Sequence, residues 1–363
     1  MQDVYAWLLL NASGLPPARQ AALLEAFERV SAIFGATDEQ LCSVSGIHSQ
    51  HVSRLRDVQE RIDPAVLGNK LRELDVHLIT WGSEAYPEWL AKTDAAPSLL
   101  FVQGDLLSDD RQAVAIVGTR KCTPYGRQVA RRLAGDLARR GFTIVSGMAD
   151  GIDAEAHEGA LQAGGRTIAV MASGPDITYP RTHGKLRERI AAQGAVLTEY
   201  GLGTEPIRER FPARNRIISG LSLGVLVVEA PVRSGAMITA RHAAEQGREV
   251  FAVPGSIDSP TSQGCHALIK DGVQLVENAE DIVEGLGIML EAVPSRQSCM
   301  RQQPELPRDE AAVMNVLSFE PTIVDLIAEQ VELPVAAVNA VLMMLEMKGL
   351  VRRFPGNAYV KIS

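Results

Sequence analysis

AVAIVGTRKCTPYGRQVARRLAGDLARRGFTIVSG, residues 113–147, reads as one strand–loop–helix–strand unit. Residues 113–117 form a continuous apolar run, and residues 142–145 are apolar but for Thr143, without the alternation of a half-exposed strand, so each is expected to be buried on both faces, as in a parallel sheet. Between them Val129, Leu133 and Leu137 recur at i, i+4 and i+8. That stripe faces a sheet and leaves Arg127, Arg131, Arg132, Arg139 and Arg140 outside. Thr123 is placed to cap the helix, and Pro124 suits its first turn.

The same pattern extends outward in both directions. RTIAVMASG (166–174), AVLTEYG (195–201), GVLVVEA (224–230), EVFAVPG (249–255) and VQLVENA (273–279) follow, mostly separated by roughly 10–20 helix-like residues. Upstream, VHLIT (76–80) and SLLFVQG (98–104) flank YPEWLAKTD. The fold class is therefore α/β, an extended Rossmann-like, doubly wound and mostly parallel sheet over residues 73–286. Residues 1–72 read as an acidic domain of short helices punctuated by Gly14, Gly35 and Gly46, with Thr37 as an N-cap. LCSVSGI within it resembles the turn of SAM-like, helix-hairpin modules. Residues 287–308 lack periodicity, carry three prolines and read as a linker. Residues 309–363 show three helical patterns and two β-like pieces around Pro355-Gly356-Asn357, the outline of a winged helix. Its third helix, residues 335–348, is rich in Met, Leu and Val with one lysine, so it suits packing or protein contact better than reading a DNA groove.

A content of 46% hydrophobic and 22% charged residues is that of an ordinary globular chain. No apolar run nears the roughly 20 residues of a membrane span. The start, MQDVYAWLLLNASG, lacks the basic region of a signal peptide. Cys42, Cys122, Cys265 and Cys299 are scattered without a Cys-x-x-Cys pair, which argues against a metal site or disulfide framework and for a reducing cytoplasm. The net charge of −8 hides an asymmetry. Residues 1–110 hold 8 Lys/Arg against 16 Asp/Glu, whereas residues 111–216 hold 17 against 10, a surplus of seven. An anionic partner fits the middle of the chain.

In an open parallel sheet, ligands bind beyond the carboxyl ends of the strands. The loops there are unusually loaded. Gly118, Thr119 and Arg120 form a small-residue turn followed by a guanidinium beside a helix start, a combination that suits a phosphate. Ser146 and Gly147 end the next strand, Gly151 permits a turn with positive φ, and Asp153 is placed to cap the helix after it. Asp150 and Asp153 also form a possible acid pair, although only His157 is spaced to work with them, and packing suits it better. Tyr179, followed by Arg181 and Lys185, interleaves aromatic and basic groups as a stacking-plus-phosphate site for single strands does. Ser234 and Gly235 sit at another helix start, Ser234 as its N-cap. In FPARNRIISG (211–220) the helix is expected from about Ala213, behind Pro212. Arg214 and Asn215 read there as architecture, and Arg216 as a rim contact or a solvated charge.

Read in order, GTRKCTPYG, SGMADGIDAEAH, YPRTHGKL, FPARNRIISGLS, VVEAPVRSGAMITA and VFAVPG resemble the DNA-processing protein A family (DprA, also called Smf) over about residues 75–286. The departures are small. His183 and His266 stand where asparagine is usual, Pro175 where an aliphatic residue is, and Thr198-Glu199 replaces Ser-Glu. The resemblance implies a Rossmann-like core that binds single-stranded DNA without catalysis, protects incoming DNA in natural transformation, and loads the recombinase RecA as a homodimer. It implies that Arg120 and Lys185 line the DNA pocket and that the dimer surface lies near Leu268 and Ile269. It implies no cofactor and no metal. The alternative is a nucleotide-processing enzyme like the Rossmann-like phosphoribohydrolases, with Glu229 or Asp150 as its acid, although SGAMITARHAAE lacks their Thr-x-x-Glu.

Overall fold

The computed structural model describes residues 2–287, 307–317, 322–331, 333–348, 350–354 and 358–361. It divides into two compact units, Met1–Leu290 and Glu291–Ser363.

The first unit is built on nine strands: β1 (Val76–Thr80), β2 (Leu99–Gly104), β3 (Ala113–Val117), β4 (Thr143–Ser146), β5 (Thr167–Val170), β6 (Ala195–Thr198), β7 (Gly224–Val227), β8 (Glu249–Ala252) and β9 (Gln274–Leu275). Their order is β1-β2-β6-β5-β4-β3-β7-β8-β9. From β6 to β9 every pairing is parallel, while β2 runs antiparallel to both β1 and β6. The chain thus steps from β3 through β4 and β5 to β6, then returns to the other side of β3 for β7 and β8. That reversal between β3 and β7 is the topological switch point, where ligands of such sheets bind.

All five residues of β3 are buried, and its alternate side chains serve opposite layers. Ala113, Ala115 and Val117 pack with Ile217, Ile218, Ala236 and Ala240 of the helices Arg210–Gly220 and Gly235–Glu245. Val114 and Ile116 pack with Val129, Leu133, Leu137, Ile152 and Ala156 of the helices Pro124–Arg139 and Ile152–Gln162. The apolar stripe of residues 129–137 therefore meets the sheet as its spacing predicts. The arginines opposite are exposed or half-exposed and pair locally: Arg127 and Arg131 with Glu155, Arg139 with Asp136, Arg140 with Glu280.

Six helices precede β1, from Gln2–Ala12 to Pro64–Glu73. Thr37 caps as expected: Gln40 N–H donates to its hydroxyl at 3.3 Å, and Gln40 Oε1 accepts from Thr37 N–H at 2.9 Å. These helices own a core around Leu10, Leu23, Ile33, Leu41 and Leu55. They also share one with the sheet, because Leu8 and Leu71 pack with Val76, Leu99 and Phe101.

The second unit holds the helices Arg308–Val316, Val324–Val331 and Val335–Met347 and an antiparallel sheet in which Ala358–Lys361 lies between Thr322–Ile323 and Val351–Phe354. Val313, Ile327, Val338, Leu342 and Tyr359 fill its core. The expected Pro355-Gly356-Asn357 turn and residues 288–306 lie outside the described residues. The third helix carries no lysine or arginine and leaves Met343, Met344 and Met347 exposed, in keeping with its composition.

Candidate nucleic-acid interface

The loops after β3, β4, β5 and β7 lie at one edge of the sheet, around the switch point. At their centre is a stack of three side chains, two from the loops after β3 and β5 and one from the first turn of the helix Arg210–Gly220 that follows β6. Arg120 places its guanidinium 4.7 Å from the ring centre of Phe211, and the Phe211 ring lies 5.5 Å from that of Tyr179, tilted by 57°. Arg120 and Tyr179 are exposed and Phe211 is half-buried. Tyr179 precedes a cis peptide bond to Pro180. The short turn Arg181–His183 and the helix Gly184–Gln193 follow, and Arg181 and Lys185 are exposed with no ion pair among the described residues. His183 ties this segment to the loop after β4: its Nδ1–H donates to the Met148 carbonyl at 3.0 Å, and Nε2 lies 3.3 Å from Asp150.

Beneath the stack lies Arg214, 3% exposed. One guanidinium nitrogen donates to the carbonyls of Gly147, at 2.9 Å, and Val170, and Nε–H donates to Asn215 Oδ1 at 3.2 Å. Asn215 in turn donates to the Gly235 carbonyl at 3.2 Å. One arginine and its neighbour therefore join the loop after β4, the end of β5 and the helix start after β7. A methyl group on Gly147 would lie 2.5 Å from the guanidinium, so this approach requires glycine. Burial pulls the Arg214 pKa down to about 10, still above neutrality. Asp153 is also buried, and burial raises its pKa against the opposing pull of Arg214.

Several of the expected ligand groups make internal contacts. Ser146 is fully buried and its hydroxyl donates to the Ile116 carbonyl at 2.6 Å. Gly118 packs its bare α-carbon against Ile152, and Thr119 N–H donates to the Glu229 carbonyl at 2.7 Å. Arg216 is half-buried and ion-paired. Both its Nη groups grip Glu199, at 3.0 and 2.6 Å, with 13% of either side chain exposed. Asp153 is not the N-cap. Gly151 holds that position at φ 81°, and Asp153, the second residue of the helix, accepts from Ala149 N–H at 3.4 Å. The start of the helix Pro124–Arg139 is not open to an anion, because Glu229 occupies it: its carboxylate accepts Thr123 N–H at 2.8 Å and the Thr123 hydroxyl at 2.6 Å. Nor does the helix of 211–220 wait for Ala213. It begins at Arg210, with Pro212 in the first turn where no intrahelical N–H is needed.

Ser234 caps its helix as expected, accepting from Met237 N–H at 3.4 Å, and Gly235 beside it is exposed. Leu268 and Ile269 are half-buried and lean on the core layer of Ala113 and Val117. Phe211, which with Tyr179 is one of the two aromatic residues the sequence offers for stacking bases, is the centre of the stack. Its signal was an aromatic residue at a helix start in a loop rich in arginine.

Residues 77–287 match the family model described as DNA recombination-mediator protein A, and residues 298–357 match the DprA winged helix domain. The chain belongs to the DprA family. Smf of Escherichia coli, a DprA relative, is 44% identical over 298 residues, 80% of this chain and 79% of its own. Smf of Synechocystis is 35% identical over 387 residues, 97% of each chain. The crystal structure of DprA from Streptococcus pneumoniae aligns with a TM-score of 0.70 at 38% identity, covering 77% of this chain and 97% of that one. DprA of Helicobacter pylori, whose structure is described for its single-stranded DNA binding mode, aligns at 0.52 and 33% identity over 59% of this chain and 97% of its own. Among the described residues no group of His, Cys, Asp and Glu is placed to hold a metal ion, and no single helix is long and apolar enough to cross a membrane.

Proposed function

We propose that this DprA protein is a cytoplasmic, single-stranded-DNA-binding recombination mediator without a reaction of its own. It shields incoming DNA during natural transformation and loads RecA onto it as a homodimer. The observation that carries the reading is the stack of exposed Arg120, half-buried Phe211 and exposed Tyr179 beside Arg181 and Lys185, at the switch point of a segment with seven surplus positive charges. Aromatic faces take bases of any sequence while cations follow the phosphates, and only a single strand offers its bases this way. The single-strand binding mode described for the Helicobacter relative supports the same reading. Contacts are assigned to Arg120, Tyr179, Phe211, Arg181 and Lys185, with Ser234 and Gly235 at the far lip. Gly118, Thr119, Ser146, Gly147, Asp153 and Arg214 to Arg216 support them from below. Leu268 and Ile269 are assigned to the dimer surface. The phosphoribohydrolase alternative is disfavoured because Glu229 already has both carboxylate oxygens on Thr123.

The test is anisotropy of a labelled oligothymidine titrated at several salt concentrations. Neutralising about four phosphates gives a slope of log K against log salt near −3, from about −0.7 per phosphate. Affinity that ignores salt, or is equal for duplex and single strand, contradicts the proposal.

A further inference from the structure

A hollow of about 470 Å³ lies between the helical front and the sheet. Leu8, Leu67 and Leu71 line it from the helices Gln2–Ala12 and Pro64–Glu73, and Phe101 of β2 and Leu202 line it from the sheet. Its polar groups include Glu199, Tyr200 and Arg210, which come from the segment after β6. Glu199 is neutralised by the two-pronged grip of Arg216. Arg210 lays its guanidinium 5.4 Å from the Tyr200 ring centre and gives one Nη to the Glu205 carbonyl. Its Nε and other Nη have no hydrogen-bond partner among the described residues, and neither has the Tyr200 hydroxyl. Burial and the adjacent Glu199 push the Tyr200 pKa up to about 12, so the phenol keeps its proton at neutral pH.

Small-ligand sites have this size and this make-up, mostly apolar walls with a few converging polar groups. One uncompensated cation and a phenol donor select a negative group, and the leucines with Phe101 select a hydrocarbon or aromatic body. We infer that the hollow binds a small amphipathic organic anion. Its acidic group meets Arg210 and Tyr200, and its body lies among Leu8, Leu67, Leu71 and Phe101. This site is independent of the nucleic-acid reading and uses none of its contact residues.

The full chain is titrated with anilinonaphthalene sulfonate, an aromatic anion whose emission rises in apolar surroundings. One saturable site per chain is expected, displaced by decanoate if the natural ligand is lipid-like or by adenosine monophosphate if it is nucleotide-like. Arg210→Gln weakens the dye about tenfold, the scale of one charge-assisted hydrogen bond. Ala12→Trp fills the hollow from an exposed helix end and removes the binding, while oligothymidine affinity stays at the parental value and reports that the variant is folded. Equal affinity for neutral phenylnaphthylamine, displacement by neither competitor, or dye binding that survives both substitutions overturns the inference. Arg210→Gln and the neutral dye keep the test decisive even if Ala12→Trp misfolds.

Discussion

Arg214 and Arg120 sit in neighbouring loops of one site, and the structure gives them opposite duties. Arg214→Ala deletes the bonds to Gly147, Val170 and Asn215 and leaves the buried Asp153 without its main compensating charge. Breaking a buried charged network by removing one partner costs about 3–5 kcal/mol. For a unit of this size each kcal/mol moves the melting temperature by about 2 °C, so a loss of roughly 6–10 °C is expected. Arg120→Ala removes an exposed guanidinium whose recorded contact is the Phe211 ring. An exposed cation–π contact is worth about 0.5–1 kcal/mol, so melting moves by about 2 °C at most. Binding should respond in the reverse sense. Arg120→Ala is expected to lower oligothymidine affinity about tenfold or more and to flatten the salt slope by about 0.7, one phosphate's worth. Thermal melting by circular dichroism and salt-titrated anisotropy on both variants supply the comparison. Parental melting for Arg214→Ala with a large affinity loss would refute the division of labour, as would an Arg120→Ala variant that loses stability but keeps its salt slope.

Three further outcomes follow from other residues. His157 is fully buried, its Nδ1 lies 2.7 Å from the Thr167 hydroxyl, and burial lowers its pKa to about 3. The unfolded chain therefore binds a proton between about pH 6.5 and 3 that the folded chain refuses, and stability falls as pH drops through that window, by up to about 1.4 kcal/mol per pH unit. Asp153, with its raised pKa, acts in the opposite sense, so the measurement is the difference in acid melting between the parent and His157→Gln; parallel curves rule His157 out. Glu229→Gln should weaken the Thr123 cap by about 1–2 kcal/mol and leave single-strand affinity within about twofold; release of free base from nucleoside monophosphates by the parent, lost in this variant, would establish the enzymatic alternative. Phe211→Ala is expected to cost about 1–3 kcal/mol of binding, one stacked base, and Tyr179→Ala a similar amount; unchanged affinity in both variants would remove the stack from the DNA path.

The fold was largely legible because its signals are local. Continuous Val, Ile and Ala runs, a stripe at helical spacing, and caps such as Thr37, Thr123 and Ser234 each concern residues close in the chain, and hydrophobic burial acts on them wherever they end up. That the loaded loops gather at one edge of the sheet follows from that pattern; the order of the strands does not, since pairings between distant segments set it. The duties of the charged residues did not, because they depend on partners far along the chain. Glu229 closes a helix start 106 residues away, Arg214 reaches 67 and 44 residues back, and Arg216 is held by Glu199 from another strand end. A guanidinium at a loop mouth looks the same in sequence whether it faces water or a buried carbonyl. By itself the sequence determined the α/β architecture, the basic middle segment and the loops in which a ligand site must lie. Only the tertiary structure decided which of those cations remain open, because folding consumes every donor that finds an acceptor away from water and leaves at the surface those that find none.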